Sequence, residues 1–408
     1  MGKFNTHTKN PGLQKSDYIS DSSETYRAKP RICGKILGVI YLDYSANHPV
    51  RKEVLDAFVK TEETFFGNAN SLHALGREAE GEYERLNRSV LSLLGLSPEA
   101  YEIIYTSSAT ESNNTVIKGV FDAYSGFGKH ILTSQFEHSS VNGTLSYLKN
   151  KGADVEFIET EGDGKLSLED FAKKLRGDTI LVTCPFVESE VGTVQPVHEI
   201  QKLIERYPNS HFLCDATQGI GKIPFACEGL DFVSFAPHKF GGIIGTGVLV
   251  KKKNIVLTPL LHGGKSASIY RSSTLPLGLV SSVECALRLA LSEEGEHGAK
   301  VSKLNKRLRE EMARIPGVIL NSPVGNPYIL NFSVQGKKGA DTVSYFSQHG
   351  ICLSQKSACS ILNTPSKPVM AIYHDKKRAF ESVRVSLSYL TTEEEIDTFL
   401  SVLKEYTK

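Results

Sequence analysis

The chain has 408 residues, with 47 lysines and arginines against 46 aspartates and glutamates. So even a balance argues against a protein held to nucleic acid or a membrane surface by its overall charge. No apolar run approaches the roughly 18 residues that a bilayer-spanning helix needs. With 40% hydrophobic and 23% charged residues, the composition is that of a globular protein, of two or three domains at roughly 150 residues each.

Residues 1–35 are polar, with Ser20, Asp21, Ser22, Ser23 and Glu24 clustered and no apolar stretch of a signal peptide. They are expected to form a disordered leader. Helical spacing follows at 52–65 (Val54, Leu55, Phe58, Val59) and 76–95 (Ala79, Tyr83, Leu86, Val90, Leu94). Strands and helices then alternate. Strands are predicted at Glu102–Thr106, His130–Thr133, Val155–Ile158, Thr179–Thr183, His211–Asp215, Phe232–Phe235 and Gly247–Val250, with helices opening at Thr110 and Ser139. That alternation implies a doubly wound, largely parallel sheet, which binds ligands at the carboxyl ends of its strands. A long helix is predicted over 281–304. A second alternating region follows: a strand over 328–333, a helix over 340–349, strands over 351–353 and 382–387, and a last helix capped by Thr392 with Glu395. The expected organisation is a leader over 1–35, a large domain over 36–300 and a smaller α+β domain over 301–408. The first residues of the large domain are expected to pack with the small one.

The seven cysteines are odd in number and scattered, without a C-x-x-C pair. This fits a reducing compartment such as the cytoplasm, and no structural zinc or other metal is expected. Cys359 stands apart. It lies in Leu353-Ser-Gln-Lys-Ser-Ala-Cys-Ser360, a small polar stretch rather than a core pattern, and reactive thiols favour such surroundings.

Several other positions carry possible chemistry, though each alone has a plainer reading as a cap, a surface amide or a salt bridge. Tyr105-Thr-Ser-Ser-Ala-Thr110 puts small and hydroxyl residues at a helix start, where N–H groups and the helix dipole hold anions. Asp215, ending an apolar strand, suits a pyridinium nitrogen. Gln218 could donate to a phenolate oxygen. His138 could stack on a flat ring and shuttle protons. Lys239, in a glycine-rich turn with His238, could form a Schiff base. Arg384 carries a fork suited to a carboxylate.

Together these residues resemble the cysteine desulfurases of nitrogenase and iron–sulfur assembly, within the class V aminotransferases. Motifs recur in order from about Ile40 to Leu403: Tyr41-Leu-Asp-Tyr-Ser-Ala, Gly67-Asn-Ala-Asn-Ser-Leu-His-Ala-Leu-Gly-Arg77, Ser-Ala-Thr-Glu-Ser-Asn-Asn, Glu137-His138, Asp215-Ala-Thr-Gln218, His238-Lys239, Arg271-Ser-Ser-Thr274, Ser357-Ala-Cys-Ser360 and Ser382-Val-Arg-Val-Ser. The resemblance implies fold type I of the pyridoxal-phosphate enzymes, with a seven-stranded, mostly parallel sheet. It implies that Lys239 carries the cofactor as a Schiff base, His138 stacks on the ring, Asp215 pairs its nitrogen and Gln218 its oxygen. Ala109, Thr110 and His238 hold the phosphate, and Thr274 reaches across a homodimer to the partner's phosphate. Arg384 takes the carboxylate of L-cysteine. Cys359 accepts sulfur as a persulfide, releases alanine and hands the sulfur to a protein acceptor.

The chain departs from the pattern at Glu188-Ser-Glu190, where the family has Asn-Asn-Glu, so that Ser189 replaces a cofactor-holding amide. Ala236 replaces a serine that contacts phosphate, Asn47-His48 replace two threonines, and Lys356 replaces a glycine. One lost hydrogen bond of this kind is worth about 1–3 kcal/mol. These changes admit a second reading, a related lyase acting on selenocysteine, cystine or another amino acid. A third is a sulfur-trafficking scaffold that has kept only the fold.

Overall fold

The computed structural model describes residues 31–32, 35–36, 38–264, 268–323, 325–356 and 364–408. The Ser357–Ser360 motif, Cys359 included, lies outside the described residues, as does most of the 1–35 leader. Within the leader, β1 (Arg31–Ile32) and β2 (Lys35–Ile36) pair antiparallel. Residues 38–408 form one compact unit.

This unit opens with β3 (Ile40–Tyr41), α1 (Lys52–Thr64) and α2 (Ala74–Leu93). Then come β4 (Tyr101–Thr106), α3 (Ala109–Tyr124), β5 (His130–Thr133), α4 (Ser139–Lys149), β6 (Asp154–Phe157) and α5 (Leu168–Lys174). They are followed by β7 (Thr179–Pro185), α6 (Val197–Ile204), β8 (His211–Asp215), β9 (Phe232–Phe235) and β10 (Gly247–Lys252). The strands β4 to β10 build a seven-stranded sheet in the order β4-β10-β9-β8-β7-β5-β6. β10 runs antiparallel to both neighbours, and every other pairing is parallel. The expected α/β fold with a mostly parallel sheet is therefore present.

Successive side chains of these strands enter opposite cores, as the period of two demands. Ile103, Val182, Cys214, Val233 and Val250 face one apolar cluster, whereas Ile104, Leu181, Leu213, Phe232 and Leu249 face another. Both faces are covered, which is why the strands read as near-continuous apolar runs.

The helix α7 (Leu277–Met312) is longer than its spacing predicted, with 36 residues. Its first half (Val280, Val283, Leu287) packs in the large-sheet core and its second (Val301, Leu304, Leu308) in a third cluster. That cluster is built on β11 (Val318–Leu320), β12 (Ile329–Val334), α8 (Gly339–Gln348), β13 (Ile351–Cys352), β14 (Ser382–Ser386) and α11 (Glu393–Tyr406), whereas α9 (Lys367–Tyr373) and α10 (Lys376–Phe380), which lie between β13 and β14 in the chain, bury their apolar residues in the large-sheet core. β11, β12 and β14 form an antiparallel sheet, and β13 pairs parallel with β3. Leu42 belongs to this third core, while Ile329, Val369 and Ala379 belong to that of the large sheet. The two halves of the chain thus exchange core residues. Thr392 and Glu395 form the expected reciprocal cap on α11.

Candidate active site

The carboxyl ends of β4, β5, β7, β8 and β9 converge. At the end of β4 the chain turns into α3. Ser108 caps this helix by accepting from the Glu111 N–H at 3.2 Å, and Ser107 N–H donates to Glu111 Oε2 at 2.7 Å. β10 comes so close to this turn that a Cβ on Gly247 would lie 2.2 Å from the carbonyl carbon of Ser108. Only glycine fits there. The helix start leaves the N–H groups of Ala109 and Thr110 without intrahelical partners.

Asp215 ends β8. Its Oδ2 accepts from Asn113 Nδ2 at 2.9 Å and its Oδ1 from the Thr217 N–H at 3.0 Å. Asn113 is itself fixed, because its Oδ1 accepts from Ser234 Oγ at 2.6 Å. The amide therefore turns its N–H2 end to the carboxylate.

His138 caps α4 with its ring, Nδ1 accepting from the Ser140 N–H at 3.2 Å. A nitrogen that accepts is unprotonated, so the neutral ring carries its proton on Nε2. Burial is the main cause that lowers the His138 pKa, and Lys239 adds to it while Asp215 opposes it. The preceding Glu137 is buried, which pushes its carboxyl up to about 8, and the charge of Asp215 acts the same way.

Lys239 closes the short 3-10 turn Pro237–Lys239 after β9. Its Nζ donates to the carbonyls of Ser45 at 2.9 Å and Ala46 at 2.6 Å. The turn is stitched to that same segment by His48 N–H donating to His238 O, at 3.0 Å. Gln218 Nε2 also donates to Ser45 O, at 2.9 Å, and its Oε1 accepts from Lys222 Nζ at 2.9 Å. Arg384 reaches in from β14. Its Nη1 donates to the carbonyl of Ser189 and its Nη2 pairs with Asp43 Oδ1, each at 2.8 Å. Ser354 Oγ steadies the other oxygen of Asp43 at 2.9 Å.

These groups surround one cavity of about 270 Å3. Ala109, Thr110, His138, Ser189, Asp215, Gln218, His238, Lys239 and Arg384 all line it, together with Ala236. Thr274 does not, being exposed on the segment before α7, and Cys359 lies outside the described residues. Four buried polar atoms on cavity residues have no hydrogen-bond partner among the described residues: Ser45 Oγ, Thr217 Oγ1, His238 Nδ1 and Arg384 Nε. Burial costs such groups free energy unless something satisfies them. A polar ligand would meet that need.

Sequence reasoning assigned no role to Asp43, Ser45, Asn113, Thr217 or Lys222. Asp43 and Ser45 act across more than 170 residues of chain, so no local spacing signals them. Asn113 follows Thr110 by three residues, nearly one helical turn. That spacing could have placed it on the cavity side of α3.

The class-V aminotransferase family model matches residues 40–399. A NifS/IcsS protein homolog of Lactobacillus delbrueckii subsp. bulgaricus is 35% identical, covering 90% of this chain and 97% of its own length. The cysteine desulfurase IscS of Dictyoglomus turgidum is 34% identical over 90% of this chain and 93% of its own. The solved structure of a NifS-like protein superposes with a TM-score of 0.84 at 31% identity, covering 90% of this chain and 99% of that one. Members of this family work with pyridoxal phosphate. With matches across the sheet, the third core and the cavity at the strand ends, the chain belongs to the class-V aminotransferases, among their cysteine desulfurases.

Proposed function

We propose that the chain is a pyridoxal-phosphate-dependent cysteine desulfurase. It converts L-cysteine to L-alanine and passes the sulfur to Cys359 as a persulfide, for a protein acceptor. The observation that carries this reading is the cavity wall: a lysine amine, a doubly hydrogen-bonded carboxylate, a helix start and four unsatisfied polar atoms around about 270 Å3.

In this reading the helix start at Ala109 and Thr110, with His238, holds the cofactor's phosphate. Asp215 holds the ring nitrogen, Gln218 the ring oxygen, and Lys239 the covalent link. His138 lies on the ring, and Ser189 takes the place of the family's amide beside it. When bound, the cofactor draws electrons away from the substrate's Cα. Asn113 keeps the Asp215 carboxylate aimed and supplied with a donor. His138, neutral near pH 7, holds a proton at Nε2. Arg384 takes the substrate carboxylate, for which its unpartnered Nε is available. The Cys359 thiolate attacks the substrate sulfur, so that the Cβ–S bond breaks as the S–S bond forms, and the carbon skeleton leaves as alanine after gaining protons. Thr274 serves a second copy's phosphate in a homodimer, and a cytoplasmic site suits the free thiols.

The test is alanine formed from L-cysteine by the pyridoxal-phosphate-loaded protein, with wild type against Cys359→Ser. Wild type is expected to form alanine and a persulfide that dithiothreitol releases, and the serine variant to lose both. Full sulfide production by Cys359→Ser refutes the persulfide route. Alanine formation from another amino acid in preference to cysteine refutes the substrate.

A further inference from the structure

Lys222 belongs to none of the roles above. It follows Gln218 by four residues in the turn after β8. Gly221, at φ +71, bends the chain there, and a Cβ on it would meet Ala290 at 2.9 Å. The lysine side chain is consequently turned inward and only 6% exposed. Its Nζ donates to Gln218 Oε1 at 2.9 Å. On the far side of that amide, Nε2 donates to the Ser45 carbonyl, which also accepts from Lys239. One chain of hydrogen bonds therefore runs from Lys222 through Gln218 and Ser45 to the lysine of the site.

The surroundings of Lys222 are basic. Burial brings its pKa down to about 7, and the repulsive charges of Lys239 and Arg384 act the same way. Burial depresses His48 and His238, and the charge of Lys222 adds to it. His297 and Arg51, the latter paired with Glu293, line the small void shared by Lys222 and Lys239. An amine kept here among like charges is costly, and a simple packing role would be met by an apolar chain. What the amine offers is N–H donors. A primary amide presents a carbonyl at one end and N–H2 at the other, and a 180° flip exchanges them. A donor on Oε1 prevents that flip.

We infer that Lys222 is a positioning residue, which holds the Gln218 carboxamide with its N–H2 end available to the ring oxygen of the cofactor. The inference rests on the reading that pyridoxal phosphate occupies the cavity, and it is separable from it. Loss of a donor to the ring oxygen raises the pH at which the bound cofactor's visible band titrates. In Lys222→Met the midpoint is expected to rise by about one pH unit, the shift that roughly one charge-assisted hydrogen bond produces. In a Gln218→Ala background Lys222→Met is expected to add nothing, because the amide it positions is gone. Lys222→Arg, which keeps donors, is expected to stay near the wild-type midpoint.

The inference is overturned if Lys222→Met titrates as wild type does. It is equally overturned if the shift persists in full in the Gln218→Ala background, since the amine would then act through its charge alone. An unfolded Lys222→Met also overturns it, because removing a buried amine that has no acidic partner among the described residues is expected to leave melting unchanged or raised. Absence of any cofactor band in the loaded wild type counts against the proposed function itself, a different result from all of these.

Discussion

The Asp43–Arg384 pair offers a sharp energetic test. Arg384 is the largest fully buried side chain of the described residues, and its guanidinium has two partners, the Ser189 carbonyl and Asp43. In Asp43→Ala the cation keeps one carbonyl and loses its counter-charge. Breaking a buried ion pair from one side costs about 3–5 kcal/mol. Since the Asp43 side chain is 16% exposed against 2% for Arg384, water can enter the gap, and the lower end, about 3 kcal/mol, is expected. Asp43→Asn keeps an acceptor without the charge and is expected to cost about half as much. The double variant Asp43→Ala/Arg384→Met leaves no stranded charge and should recover most of the loss. Urea unfolding followed by circular dichroism measures all four chains, with the midpoint difference multiplied by a common slope. If Asp43→Ala falls within about 0.5 kcal/mol of wild type, the scale of a neutral surface change, the pair carries no such energy. A double variant as unstable as Asp43→Ala refutes the stranded-charge argument.

Other predictions follow from the same geometry. Glu137 is held above its ordinary pKa by burial, at about 8, so the folded chain keeps a proton that the unfolded chain releases near pH 4.5. Its contribution to stability is full below that pH and is lost as pH rises to about 8. The stability of Glu137→Gln minus that of wild type should thus grow with pH by up to about 1.4 kcal/mol per unit in that window and then level off, which thermal melts across pH would record. Gly247→Ala forces the Ser108 turn to move, and pyridoxal-phosphate affinity, read by fluorescence titration, should fall at least about tenfold, since about 1.4 kcal/mol suffices for that. Gly81, exposed within α2, has nothing within 4 Å of a Cβ built on it. Gly81→Ala should therefore raise stability by about 0.5–1 kcal/mol, seen as a higher melting temperature.

The sheet strands were legible because both of their faces are buried. His211–Asp215 and Phe232–Phe235 are predicted to the residue, since apolar runs bounded by polar turns leave little freedom. α5, α6, α9 and α10 were not predicted. They have five to eight residues each, too few turns for a 3.6-residue period to stand out. The predicted helix at 281–304 stopped short at both ends, because Leu277 and Met312 lie beyond the periodic stretch that the eye follows. In the site, residues that end strands of the large sheet announced themselves. The supports did not. Lys222 shows nothing in the sequence that marks it as holding an amide, Asn113 offers only its helical spacing from Thr110, and Asp43 meets Arg384 because the chain just past β3 bridges to Ser386 at the end of β14.

The exchange of core residues between the two halves also bears on how the chain is made. Leu42 waits for partners that extend to Leu403, and the core of the large sheet waits for Val369 and Ala379. At about 5–20 residues per second, the roughly 360 residues between Leu42 and Leu403 take some 20–70 s to synthesise. Throughout that time part of the apolar surface of the third core lacks a partner that has yet to be made. The third core closes only once Leu403 has been made, so its early segments must be kept from other apolar surfaces until then.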